Sequence, residues 1–249
     1  MRLRFLFAFV IAAGVAAACS SSNTATEDPS GDDDDDTTGD ASSTPPADSG
    51  LSVLHLSPSR EFSGFDGTHT FKVPIAVYGA KDPANVSVTA DDPSSATITP
   101  TKLKNVDPSA DSGVYFMVEI KKAGTINLTA KSGSQTPATA SIDAAAYDAA
   151  RWTQGETRYM NAGSNGDPAC RSCHVDGQAI DHSPATLASV ADTDVGRIMT
   201  LGVKPSRATI STGCTDCSDA AKKHQWTLTD DERRGLIVYL RGLEPRGFQ

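Results

Sequence analysis

Between residues 51 and 145 apolar and polar side chains alternate repeatedly: LSVLHL, TFKVPIAVYG, VSVTAD, ATITPTKL, GVYFMVEIK, TINLTAK and TASIDA follow one another, separated by turn residues. A period of two puts every second side chain on one face of an extended chain, so each stretch has one apolar face to bury against another sheet. Seven short strands in roughly ninety-five residues, with few helical patterns among them, predict a small β-sandwich. No cluster of acids, histidines or aromatic rings interrupts them; His55 and His69 stand singly. The segment is expected to be a spacer or adhesion module.

The residues before it belong to another regime. Arg2 and Arg4 precede an apolar run from Phe5 to Ala13, and small residues lead to Cys19. That is the layout of an export signal, too short for a lasting membrane span. The tail Val15-Ala16-Ala17-Ala18-Cys19 resembles the bacterial lipobox, with Ala16 where leucine is commonest; the resemblance implies a signal peptide over 1–18 and lipidation of Cys19, hence membrane attachment through a lipid anchor. Ser20 after the cysteine resembles the sorting signal for the outer membrane. From 19 to 50 the chain is rich in Ser, Thr, Asp and Pro and lacks lysine, arginine and aromatic residues, which predicts a disordered tether. Nine of the 31 acids lie there and two of the 22 bases lie in the signal, so residues 51–249 carry 22 acids against 20 bases. With no basic patch, nucleic acid is not an expected partner. The run Asp32–Asp36 lacks the closing glutamate of a calcium loop and suits a solvated linker.

The stretch CRSCH, residues 170–174, is the sharpest motif of the chain. Cys-x-x-Cys-His is the spacing at which a haem is attached through two thioethers with the adjacent histidine ligating the iron. At this composition a chance match is expected about two times in a thousand chains. A disulfide or reactive dithiol preceding a histidine is the alternative. Around the motif, Tyr147–Tyr159 combines helix formers with Trp152, and Asp192–Gly202 has a helical pattern ending at glycine. Thr227–Glu232 starts a helix with a polar cap and early acids, and Leu236, Tyr239, Leu240 and Leu243 form its apolar face.

In sequence order these features resemble class I mono-haem c-type cytochromes: attachment motif, middle helix, distal loop, and a final aromatic helix reading Trp226-x-Leu228-Thr229-Asp230-x-Glu232 and Leu236-x-x-Tyr239-Leu240-Arg241. Likewise, Ala123–Ala130 followed by Thr139–Ile142 resembles the last hairpin of bacterial Ig-like domains. Together the resemblances imply an all-β Ig-like sandwich over 51–145 followed by an all-α cytochrome c-like domain over 146–249. They imply one covalent haem c, with Cys170 and Cys173 as thioethers and His174 as proximal ligand. The sixth ligand departs from the family, because no methionine follows Thr200. His224, just ahead of Trp226, stands where the distal ligand comes from. Met199, on an apolar helical face, is the alternative, and His182 is near enough to crowd the proximal side.

The pair Cys214-x-x-Cys217 has Ser218 where a haem motif needs histidine. In an exported protein a short-range disulfide bracing the distal loop is the expected state. A redox-active dithiol, a zinc site or a second haem each lacks residues it would need. No Ser/His/Asp set or phosphate loop suggests hydrolysis or nucleotide chemistry. The expected function is therefore a mono-haem electron carrier tethered in the bacterial cell envelope, exchanging electrons with donor and acceptor proteins. The alternatives are a haem enzyme or sensor with an open distal site, or a glycan- or protein-binding sandwich that positions a cytochrome.

Overall fold

The computed structural model describes residues 53–107, 111–174, 181–212 and 218–249. Eight strands come first: β1 (His55–Ser57), β2 (Arg60–Phe65), β3 (Lys72–Tyr78), β4 (Val86–Ala90), β5 (Ala96–Thr101), β6 (Val114–Ile120), β7 (Gly124–Ser132) and β8 (Ala138–Ala146). They form two four-stranded sheets in the orders β1-β3-β6-β5 and β2-β8-β7-β4. Pairing is antiparallel except between β2 and β8, which run parallel with Glu61 opposite Ile142 and Ser63 opposite Ala144. The inward residues of the two sheets make the core: Val73, Ile75, Val77, Val118 and Ile120 from one, Ile126, Leu128, Ala130 and Ile142 from the other.

The sandwich is thus present, with one strand more than the alternation predicts. β2 (REFSGF) was invisible to a hydrophobic pattern because its inward positions hold Glu61 and Ser63, both buried. Its place is determined by the ladder to β8 and by the Phe62 amide, which donates to the Ala188 carbonyl at 2.6 Å.

Five helices follow: α1 (Arg151–Met160), α2 (Pro184–Leu187), α3 (Asp192–Leu201), α4 (Asp219–Lys223) and α5 (Asp230–Arg241). α3 stops at Gly202, whose φ of 61° supplies the left-handed cap, and a Cβ at Gly202 would overlap the Lys223 carbonyl oxygen. α5 opens with a full capping box: the Thr229 side chain accepts from the Glu232 amide, and the Glu232 carboxylate accepts from the Thr229 amide at 2.8 Å. α1 and α5 cross at two glycines; a Cβ on Gly155 would overlap the Gly235 carbonyl, so only glycine permits this approach.

The expected all-α cytochrome c-like domain is corrected by this arrangement. The chain is mainly β, and residues 49–249 form one compact unit in which short helices are built onto the sandwich. Among the described residues the helical cluster has seven buried hydrophobic residues (Tyr159, Val195, Met199, Leu236, Ile237, Tyr239 and Leu240), and it shares Tyr147 and Trp152 with the sandwich core, which in turn takes Val238 from α5. Trp152 stacks on His69 with centroids 3.9 Å apart and meets Phe71 edge-on. Buried Arg241 donates to the Leu187 carbonyl at 2.7 Å, to the Val190 carbonyl and to Asp192 Oδ1, while the Tyr147 hydroxyl donates to Asp192 Oδ2 at 2.6 Å. At the C-terminus Lys102 and Gln249 exchange backbone hydrogen bonds beside the Leu103–Phe248 bridge. With so few apolar residues of their own, the helices complete their burial on the sheets.

Candidate functional site

Among the described residues, the CRSCH segment and one sheet face each bring chemically useful groups together. The first is built around the CRSCH segment. Residues 170–172 form a single 3-10 turn after α1, closed by the Cys173 and His174 amides donating to the Cys170 carbonyl at 3.3 and 3.2 Å. Cys170 and Cys173 are both free thiols; Cys170 is partly buried against the helical cluster and Cys173 is exposed. Burial pushes the Cys170 thiol up, against a smaller opposing pull from Arg158, so Cys170 is a protonated, weakly nucleophilic thiol at neutral pH.

Tertiary contacts gather three histidines beside these thiols. The ring of His182 stacks on His174 with centroids 3.4 Å apart, and His224 meets His174 at 6.0 Å with planes nearly perpendicular. Burial, followed by the neighbouring His174 and His224, pulls the His182 pKa down to about 3, so this ring is neutral; its Nδ1 is buried with no hydrogen-bond partner. His224 holds a positive φ of 55° just past α4. Its Nδ1 lies 3.0 Å from the Ile198 carbonyl, to which it can only donate, leaving Nε2 as the nitrogen with an available lone pair. Trp226 packs edge-on against His224 at 5.7 Å and is pinned by its amide to the Met199 carbonyl.

The predicted site residues thus separate. Cys170, Cys173, His174 and His224 share one region. Met199 is only 6% exposed and packs in the helical cluster with Val195, so it is a core residue. Cys19, Cys214 and Cys217 lie outside the described residues, as do the signal and tether. The expectation of a cytochrome with a protein-held iron centre is corrected on two grounds: among the described residues the helices are built onto a mainly β molecule and form no all-α domain, and no group of three or more His, Cys, Asp or Glu side chains could hold a metal ion.

The second place is the outer face of the β2-β8-β7-β4 sheet. Here cross-strand neighbours are hydroxyls and amides: Asn127 opposite Ser141, Thr129 opposite Thr139, Thr89 opposite Thr129. A shallow cleft of about 390 Å³ runs over them, lined by Ser59, Asp91, Asn127, Thr129, Thr139 and Ser141. The same alternation that puts Ile126, Leu128 and Ile142 into the core turns these residues outward. The strand pattern therefore contained the signal, but the convergence of loop residues Ser59 and Asp91 on the face needed the sheet order.

No family model matches the sequence, and no curated protein does. Among the solved structures similar to it at low level are three bacterial surface proteins. S-layer protein SbsC domains 4 and 5 are 18% identical, with 37% of this chain and 44% of that one covered and a TM-score of 0.26. The BIgI domain of the beta protein from S. agalactiae, solved bound to CEACAM1, is 20% identical over 38% of this chain and 97% of its own, with a TM-score of 0.23. The Yersinia pseudotuberculosis adhesin InvE is 19% identical over 37% and 26%, with a TM-score of 0.18. The chain spans less than half of the S-layer chain, and at these scores the likenesses decide nothing about fold or function.

Proposed function

We propose that this protein is an envelope-tethered binding module whose sandwich engages neutral glycan through the outer face of the β2-β8-β7-β4 sheet, carrying the helical layer with it. The observation that supports this reading is the hydroxyl- and amide-lined cleft over Asn127, Thr129, Thr139 and Ser141, with a single carboxylate, Asp91, at its side. Such groups donate and accept hydrogen bonds at fixed spacing without a strong field, which suits sugar hydroxyls better than charged partners. Lipid attachment at Cys19, at the outer membrane, would hold the module at the cell surface. A glycan array probed with the purified protein tests this. Neutral polysaccharide should be retained, and Asn127→Ala should weaken retention about tenfold, the loss of one to two hydrogen bonds. Uniform absence of binding across neutral glycans would sink it.

A further inference from the structure

Arg158, on the last turn of α1, is 4% exposed. Its Nη1 donates to the carbonyls of Asn161 and Pro168, both at 3.1 Å, and so ties down the loop that leads to Cys170. Its other two nitrogens, Nε and Nη2, are buried with no hydrogen-bond partner. These two form one edge of the guanidinium, the fork whose parallel N–H bonds match two oxygens of a carboxylate or phosphate. A buried guanidinium with an empty fork is costly, and the ordinary compensation is an anion.

The surroundings of the fork hold groups suited to that compensation. A Cβ built on Gly163 would lie 3.4 Å from both Nε and Nη2 and 2.7 Å from the Asn165 side-chain oxygen, so the fork is covered by the small residue Gly163 and the Asn165 side chain of the same loop. Arg158 also lines a cleft of about 300 Å³ together with Thr153, Gln154, Thr157, Ala162 and Glu232. Two hydroxyls and an amide there are suited to an oxyanion. The one opposing charge, Glu232, is engaged: its carboxylate accepts from the Thr229 amide and hydroxyl at 2.8 and 3.0 Å. Between fork and solvent lies the exposed Asn-Gly loop 161–166.

We infer that Arg158 is the anchor of an oxyanion site, binding a carboxylate or phosphate group through Nε and Nη2 when the 161–166 loop lifts toward the adjoining cleft. The site depends on neither the glycan face nor a haem. The test is titration of the full-length protein with sodium acetate and with sodium phosphate, each against sodium chloride at equal ionic strength, read by calorimetry and thermal melting. At least one oxyanion should bind and raise the melting temperature above the chloride control; which one responds distinguishes a carboxylate from a phosphate ligand. Arg158→Lys keeps the charge and loses the fork, and should weaken binding at least tenfold. Should that variant fail to fold, Thr153→Val and Gln154→Leu, both exposed on the cleft, keep Arg158 and its loop bonds while removing polar groups from the cleft, and should weaken binding several-fold. No binding beyond chloride, or affinity unchanged in the folded variants, would overturn the proposal.

Discussion

Glu61 is buried in the sandwich, 2% exposed, with Oε2 lacking a hydrogen-bond partner. Burial holds its carboxyl well above the ordinary value of 4.5, so the native state retains a proton that the unfolded chain releases. The sign follows: stability is fully present below 4.5, falls as pH rises toward the elevated native value, and stays reduced beyond it. Glu61→Gln removes the titration and should raise urea stability at pH 7 by about 1–3 kcal/mol while changing little at pH 4; an equal effect at both pH values would contradict the cause given. Gly202 carries a different constraint. With φ at 61° and the Lys223 carbonyl oxygen where a Cβ would stand, Gly202→Ala should cost about 1–3 kcal/mol in thermal or urea unfolding. It should also disturb His224, the next residue along from that carbonyl. The CRSCH motif and the left-handed glycine were legible in the sequence, being local. The burial of Glu61 was not, because an acid at an inward position reads as a break in the pattern.

At the scale of the element, α3 ends at its glycine cap and α5 begins at its Thr229 cap, as the sequence predicts. The Thr229–Glu232 capping box is local chemistry, and Thr229→Ala should lower stability by about 1 kcal/mol in denaturant unfolding, with Thr229→Ser nearly neutral. β2 and α2 escaped the sequence reading for opposite reasons: β2 carries polar residues inward, and α2 is a single turn of four residues with no period to detect. The candidate site was legible in part. The spacing of Cys170, Cys173 and His174 stands in one short turn, but His182 and His224 reach it through separate loops, and nothing in their spacing specifies that the three rings meet. The fork of Arg158 was likewise silent, since an arginine on a helix reads as a solvated charge until its burial is known.

For the whole molecule the decisive contacts run between helices and sheets. Arg241, 2% exposed, holds α2, the segment before α3 and Asp192 in one arrangement. Arg241→Met should cost about 3–5 kcal/mol, since it strips the Leu187 and Val190 carbonyls and leaves Asp192 without its cation. Because the helical cluster shares Tyr147, Trp152 and Val238 with the sandwich core, residues 49–249 should unfold in one cooperative transition, with calorimetric and van't Hoff enthalpies agreeing. Two resolved transitions would instead indicate separable domains.

By itself the sequence determined what depends on neighbours a few residues apart: strands from a period of two, helix ends from capping residues, and the attachment-type turn from two cysteines and a histidine. Tertiary structure alone decided that β2 pairs parallel with β8, that α1 and α5 meet at Gly155 and Gly235, that the histidines gather, and that the helices join the sandwich. Those outcomes rest on contacts between residues far apart in the chain, where burial of a shared apolar surface and satisfaction of buried polar groups override local pattern.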